Sequence, residues 1–144
     1  MLRAVSIFAG ILTLSACGVP SDPDDGPVVL LCKGEEVNSS VDGSVIREPK
    51  WEFYRIDAAE KTIQTWNADA ESFDVTLDGL SVSATELRYE RENPMLGEIS
   101  SRNTIVFDRV LGRVTEKFTT SDGGSIAFSA PCKPVRDPKS EKKF

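Results

Sequence analysis

Residues 72–84 read SFDVTLDGLSVSA, and this stretch determines the fold class that the sequence predicts. Strict alternation of apolar and polar residues is typical of a strand with one buried face. Asp-Gly favours a tight turn with positive φ at both residues, so alternation on both sides of Asp78-Gly79 predicts a β-hairpin. The alternating apolar residues are Phe73, Val75 and Leu77 before the turn and Leu80, Val82 and Ala84 after it.

The rest of the body shows the same short segments of β-branched and aromatic residues between turn residues. Short connections make sequential strands neighbours in space, so we expect an all-β, antiparallel meander of about eight strands. A closed or nearly closed barrel would remove the exposed sheet edges, and a two-sheet β-sandwich is the alternative. A helical turn within 85–99 is also possible. The predicted strands are Val28–Lys33, Lys50–Ile56, Thr62–Trp66, Ser72–Leu77, Leu80–Glu90, Arg102–Val110, Arg113–Thr119 and Ser125–Cys132.

The N-terminus has the pattern of an export signal. Arg3 precedes an apolar run of about eleven residues, which is shorter than the roughly 20 needed to cross a membrane as a helix. The four residues Leu14-Ser15-Ala16-Cys17 resemble the lipobox of bacterial lipoproteins. This resemblance implies cleavage before Cys17 and attachment of lipid to its thiol. An ordinary secretory signal cut after Ala16 would instead leave Cys17 as a free thiol.

The resemblance divides the chain into four segments. We expect a signal peptide at 1–16, a lipidated flexible tether at 17–27, a single β-domain at 28–133 and a disordered charged tail at 134–144. Gly18, directly after the lipid site, resembles the residue found in lipoproteins sorted to the outer membrane. The predicted location is therefore the bacterial cell envelope, lipid-anchored, with the outer membrane favoured.

The three cysteines agree with export. If Cys17 carries lipid, Cys32 and Cys132 are the remaining pair, and an oxidising compartment would preserve a disulfide between them. That bond would tie the first predicted strand to the last. The alternative is two buried, unpaired thiols. Two isolated thiols do not supply the four ligands of a zinc site, so we expect no metal there.

Charge and composition narrow the function. The chain has 23 acidic and 17 basic residues, a net charge of −6, which disfavours binding to nucleic acid. It has no histidine, and hence lacks the usual general base and the commonest metal ligand. Carboxylates could act in pairs, but those in turns usually bind their own backbone. We therefore predict no catalytic residue and no cofactor; the carboxylates considered are Asp57, Glu60, Asp108 and Glu116.

These observations favour a non-enzymatic envelope lipoprotein whose β-domain binds an envelope protein or a small, hydrophobic ligand. Small disulfide-closed β-barrel lipoproteins of this plan are similar to the membrane-bound inhibitors of C-type lysozyme, so inhibition of a lytic enzyme such as lysozyme is one alternative. Residues 121–125, however, match that family's serine-glycine loop poorly. A lipocalin-like carrier of a hydrophobic ligand is the other alternative, although the lipocalin Gly-x-Trp signature is missing.

Overall fold

The computed structural model describes residues 26–94, 99–136 and 138–141. No α-helix occurs in these ranges, and the predicted all-β class is confirmed. Cys17, the signal peptide and most of the tether lie outside them. The strands are β1 (Val28–Ser39), β2 (Val45–Asp57), β3 (Thr62–Asn67), β4 (Ser72–Asp78), β5 (Ser81–Val82), β6 (Glu86–Pro94), β7 (Ser100–Asp108), β8 (Arg113–Thr120) and β9 (Ser125–Val135), followed by a 3-10 helix at Pro138–Glu141.

The nine strands form one antiparallel sheet in the order β4-β3-β2-β1-β9-β8-β7-β6-β5. The sheet is strongly curled: the rings of Tyr54 in β2 and Phe107 in β7 have centroids 5.1 Å apart, although β1, β9 and β8 lie between their strands. The result is a half-barrel, which confirms the predicted barrel-like meander over the two-sheet sandwich. Within the described residues, no helix is long and apolar enough to cross a membrane.

The predicted hairpin at Asp78-Gly79 is wrong. β4 is hydrogen-bonded to β3 and β5 to β6, and these two strands lie at opposite edges of the sheet. Gly79 has a φ of 94°, but Asp78 does not have positive φ, so no type I′ turn forms. Instead, the N–H groups of Gly79 and Leu80 donate to the Lys61 carbonyl at 3.1 and 2.9 Å. This link carries the chain between the two sheet edges. The single strand predicted at 80–90 is also divided into β5 and β6, by a turn in which the Ser83 N–H donates to the Glu86 carbonyl at 2.9 Å.

β1 and β9 lie side by side and are joined by the Cys32–Cys132 disulfide, which confirms the predicted pairing. The two cysteines are direct partners in the strand register. Between these strands, a Cβ atom on Gly34 would overlap the Ser129 carbonyl oxygen and lie 2.7 Å from the Cβ of Ala130. Glycine therefore permits the close approach of β1 and β9.

The interior holds one apolar cluster, built from inward positions of all the long strands. Tyr54 and Ile56 point into it, while Trp51 on the opposite face of β2 is exposed, as the alternation in β2 predicts. Leu80, on the link between the sheet edges, is also buried in this cluster. Its members are Leu30, Cys32, Tyr54, Ile56, Ile63, Leu80, Leu87, Tyr89, Ile105, Phe107, Val114, Phe128 and Ala130.

Part of the segment predicted to be a disordered tail has regular structure. β9 continues through Val135, two residues into the segment expected to be a disordered tail, and Pro138–Glu141 form a 3-10 helix. The Lys139 ammonium lies 3.8 Å from a carboxylate oxygen of Glu71, in the turn between β3 and β4. The β-domain therefore extends beyond the predicted boundary at residue 133.

Candidate ligand-binding site at the open end of the half-barrel

The interior changes from apolar to polar along the strands. Residues two apart share one face of a strand, so the inward face of β1 continues from Leu30 and Cys32 to Glu36. The same spacing continues the inward face of β8 from Val114 to Glu116. Polar side chains at the inward positions of four strands thus meet at one end of the half-barrel. They are Glu36 of β1, Lys50 and Glu52 of β2, Asn103 of β7 and Glu116 of β8.

The two ends of the half-barrel can be defined by their turns. The open end carries the β1–β2 turn at 40–44 and the β8–β9 turn at 121–124. The apolar end carries the β2–β3 turn, the β7–β8 turn and the link at 79–80. Polar side chains at the open end retain contact with solvent, with 26% of the Glu36, 31% of the Lys50 and 19% of the Glu52 side chain exposed.

A cavity of about 230 Å³ lies at the open end. Its polar walls come from four different strands, and its apolar walls from β8 and β9. The curl of the sheet brings these strands together, because β1 and β7 are separated by two strands in the sheet order. The lining residues are Glu36, Lys50, Asn103, Glu116, Phe118, Ile126 and Phe128.

Ion pairs and hydrogen bonds connect the polar residues of the cavity. The Lys50 Nζ donates to a Glu36 carboxylate oxygen at 2.6 Å and lies 3.8 Å from a Glu52 oxygen. It also lies 5.4 Å from the centre of the Phe128 ring, within the range of a cation–π contact. The hydroxyl of Tyr54 donates to a Glu116 carboxylate oxygen at 2.8 Å. Lys50 is therefore already engaged by carboxylates on two strands.

Burial and neighbouring charges shift three ionisation equilibria here. Burial, the largest cause, raises the pKa of Glu52 to about 7; Lys50 opposes this rise and the Glu116 charge adds to it. Burial lowers the pKa of Lys50, but the hydrogen bond that Lys50 donates to Glu36 and the nearby carboxylates outweigh it, so that pKa is raised overall. Burial and Glu116 raise the pKa of Tyr54 well above its usual value. Clusters of shifted groups in a cavity are typical of functional sites.

Asn103 contributes a polar atom without a partner. Its Oδ1 is buried from solvent and accepts no hydrogen bond from any described residue. A buried carbonyl oxygen without a donor costs about 1–3 kcal/mol. The Asn103 side chain lines the cavity, so this oxygen adds to the acceptor groups gathered there.

Exposed apolar side chains surround the open end, and we call Val41, Val45, Ile46 and Ile126 the apolar rim. Val41 lies in the β1–β2 turn, Val45 and Ile46 begin β2, and Ile126 lies near the start of β9 and lines the cavity. Apolar residues grouped around a polar cavity are typical of a surface that another molecule covers.

Three larger depressions lie on the surface of the described residues, with volumes of about 350, 490 and 340 Å³. They contain, in turn, the Arg102–Glu92, Lys139–Glu71 and Arg88–Glu90 ion pairs. Each of these side chains is at least 40% exposed, so water and salt screen the charges. The smaller cavity at the open end therefore offers stronger electrostatic interactions to a ligand.

The four carboxylates considered from sequence do not form one site. Asp57 Oδ1 accepts the Glu60 N–H at 2.9 Å, and Asp108 Oδ1 accepts the Val110 and Leu111 N–H groups, so both aspartates bind turn backbone as expected. Glu116 alone among the four lines the cavity. Among the described residues, no three Cys, Asp or Glu side chains are placed to hold a metal ion.

Sequence reasoning missed most residues of the cavity. Glu36 and Lys50 fall outside or at the edge of the strands predicted at 28–33 and 50–56, whereas β1 and β2 extend along a longer hairpin to a turn at 40–44. Counting in twos from Cys32 and Tyr54 would have placed both side chains on the inward face. The contact of β2 with β8 through Tyr54 and Glu116 has no signal in local sequence, because it depends on the curl of the sheet.

No protein-family model matches the chain, and no curated protein sequence is significantly similar to it. The functional argument therefore rests on the residues of the cavity and the apolar rim.

Proposed function

We propose that this protein is a lipoprotein of the bacterial cell envelope, anchored through lipid on Cys17, whose β-domain is a non-enzymatic module that binds a partner protein at its open end. The observation that carries the binding site is the cavity with partly desolvated charges, surrounded by the apolar rim. The outer membrane is the favoured location, from the residue after the lipid site.

The composition of the interior favours a protein partner over a hydrophobic ligand. The apolar end is filled by the protein's own side chains, with the Tyr54 and Phe107 rings packed edge to face. The cavity at the open end carries four polar residues, and burying an apolar ligand against them would remove their water without replacing its hydrogen bonds. A partner with polar groups for the cavity and apolar groups for the rim suits both surfaces.

Site-specific photo-cross-linking in growing cells tests the binding surface. A photoreactive amino acid replaces Ile46 on the apolar rim, and a matched variant carries it at Leu111 on the apolar end; the native side chains are 55% and 66% exposed. We expect a discrete cross-linked protein from position 46 and none from position 111. An adduct from position 111 alone would place the partner at the wrong end and overturn the assignment.

Metabolic labelling tests the anchor. Cells expressing the full chain are fed an alkyne analogue of palmitate, and the wild type is compared with Cys17→Ala. We expect label on the wild type that disappears in the variant. Label on neither protein would contradict the lipoprotein assignment.

Assays of the purified protein test the non-enzymatic assignment. The full chain, purified from membranes in mild detergent, is incubated with general glycosidase, esterase and peptidase substrates. We expect no turnover above that of a mock purification. Turnover that disappears in Glu116→Gln would replace the binding module with an enzyme.

A further inference from the structure

The hydrogen-bonding groups of the cavity are unbalanced. Glu36 and Glu116 in the lining, Glu52 beside Lys50 and the Oδ1 of Asn103 provide seven acceptor oxygens, each able to accept two hydrogen bonds. The donors beside them are fewer: the Lys50 ammonium and the Tyr54 hydroxyl, both already committed to carboxylates, the Phe53 backbone N–H, which binds Glu52, and the Asn103 amide N–H groups. The groups that lack partners are therefore acceptors, and a ligand that donates hydrogen bonds would satisfy them.

The charges are unbalanced in the same direction. Lys50 is the one cation lining the cavity among the described residues, and its single charge interacts with Glu36, Glu52 and Glu116 together. Glu116 receives its hydrogen bond from the neutral hydroxyl of Tyr54. A second positive charge beside Glu116 and Asn103 would relieve the repulsion among the three carboxyl groups.

The apolar walls also suit a cation on an apolar stem. The faces of aromatic rings attract ammonium and guanidinium groups, and Phe128 already lies near Lys50. Phe118 and Ile126 provide surface for methylene groups. At about 230 Å³, the cavity is smaller than the roughly 300–1,000 Å³ of sites for drug-sized ligands, and its size fits one side chain.

We propose that this cavity binds the lysine or arginine side chain of a partner protein, whose charged group lies between Glu116 and Asn103 while the flanking residues of the partner cover the apolar rim. This inference rests on the proposed binding function and adds the chemistry that the partner presents. The net charge of −6 would assist the approach of such a basic partner.

Binding of a cation also involves a proton at Glu52. This carboxyl group faces Lys50 on its own strand, Glu36 on β1 and Glu116 on β8, and the hydroxyl of Tyr54 lies beside Glu116. A cation in the cavity favours the ionised form of Glu52, so binding releases a proton where Glu52 is still protonated. Affinity is therefore expected to rise between pH 6 and pH 8, and Glu52→Gln should abolish that rise.

The test uses a matched pair of peptides and the full chain purified in mild detergent. One peptide has arginine between apolar residues, acetyl-LVRLV-amide, and the other has citrulline, a neutral isostere, at the same position. We expect calorimetry at pH 8 to give a dissociation constant at least tenfold lower for the arginine peptide. Equal affinity for the two peptides would overturn the inference.

Variants assign the interaction to the cavity. Glu116→Gln keeps an acceptor for Tyr54 but removes the charge, and we expect it to lower the affinity for the arginine peptide about tenfold. Glu36→Gln serves as a second variant if Glu116→Gln is unstable. Glu60→Gln, in the exposed β2–β3 turn, removes the same charge at the apolar end and should leave affinity unchanged. Equal losses in Glu116→Gln and Glu60→Gln would show general attraction to an acidic protein and overturn the inference.

Methylguanidinium separates the two sources of the cation. Weak binding of this ion, with competition against the arginine peptide, supports a side chain presented by a partner, whereas binding as tight as that of the peptide would assign the cavity to a free small cation. Cross-linking distinguishes this inference from the proposed function. A partner that cross-links at position 46 equally in wild type and Glu116→Gln would support the proposed binding surface. It would overturn only the inference that the partner inserts a basic side chain.

Discussion

The two ends of the half-barrel are built from the same strands but have opposite chemistry. β1 supplies Leu30 to the apolar end and Glu36 to the open end, and β8 supplies Val114 and Glu116 in the same way. The apolar end is closed by Leu80 on the link between the sheet edges. The strands thus continue past the length that the core requires, and the extra length carries the cavity.

Within one domain, the apolar end stabilises the fold and the open end carries the proposed binding site. Buried apolar side chains stabilise the fold by about 25 cal/mol per Å² of apolar surface removed from water. Polar groups at the open end reduce stability. Burial raises the pKa of Glu52, and Asn103 Oδ1 is buried without a hydrogen-bond donor. Groups that destabilise the free protein and gain partners from a ligand are typical of binding sites. Substitutions at the apolar end should therefore lower the free energy of unfolding strongly, whereas those at the open end should lower it less or, at Glu52, raise it.

The largest effect is expected from the disulfide, which joins β1 to β9 beside the apolar core. Replacing both Cys32 and Cys132 with alanine should lower the free energy of unfolding by roughly 4–5 kcal/mol, since the bond closes a loop of 100 residues. Urea unfolding followed by tryptophan fluorescence measures this loss. Wild type in reducing agent provides the control and should show a similar loss. An unchanged midpoint in both would mean that the apolar core alone holds the ends of the sheet together.

Truncating one aromatic residue at each end tests the comparison directly. Phe107 is 1% exposed within the core, so Phe107→Ala should cost about 3–5 kcal/mol. Phe118 is only partly buried beside the cavity, and Phe118→Ala should cost about 1–2 kcal/mol. Urea unfolding of both variants gives the two values. Equal losses would contradict the division of the interior into a stabilising end and a binding end.

Glu52 should destabilise the protein at neutral and higher pH. Its folded pKa of about 7 lies above the ordinary value of 4.5, so the folded state binds the proton more tightly. The contribution of Glu52 to stability is therefore largest below pH 4.5, decreases as pH rises from 4.5 to 7, and is lost above 7. Glu52→Gln should add about 2–3 kcal/mol at pH 8 and almost nothing at pH 4.

Unfolding curves at both pH values measure this difference. Glu48→Gln, an exposed position on the same strand, is the matched control and should leave the pH dependence of stability unchanged. A Glu52→Gln protein that is less stable than wild type at pH 8 would mean that Lys50 stabilises the ionised carboxylate more than burial destabilises it.

The smallest effect is expected at Tyr54, where the two ends meet. Tyr54→Phe keeps the ring against Phe107 but removes the hydroxyl that binds Glu116, and should cost about 1–2 kcal/mol. Tyr89→Phe is the control, because the Tyr89 hydroxyl makes no hydrogen bond to another described residue. Thermal unfolding of both variants gives the difference. A larger loss from Tyr89→Phe would show that the Tyr54–Glu116 contact contributes little.

Local sequence predicted strands well and strand partners less well. The strands predicted at 50–56, 62–66 and 113–119 lie within β2, β3 and β8, and the aspartates of the β2–β3 and β7–β8 connections bind backbone N–H groups as expected. The Asp78-Gly79 turn was wrong because local preference for a hairpin competed with pairing of β4 to β3 and β5 to β6 across the rest of the sheet. The cavity was missed because its polar residues are far apart in sequence, and only the curl of the sheet brings them together.

The sequence by itself predicted the all-β class and the meander, because alternation and turn residues are local properties. It predicted the Cys32–Cys132 pair on the condition that Cys17 carries lipid. Its lipobox-like N-terminus predicts the anchor and lies outside the described residues. Only the tertiary structure decided that β4 and β5 form the two edges of the sheet, and that Glu36, Lys50, Asn103 and Glu116 meet around one cavity. The physical reason is the curl of the sheet, which brings together side chains from strands that are not neighbours in the sheet.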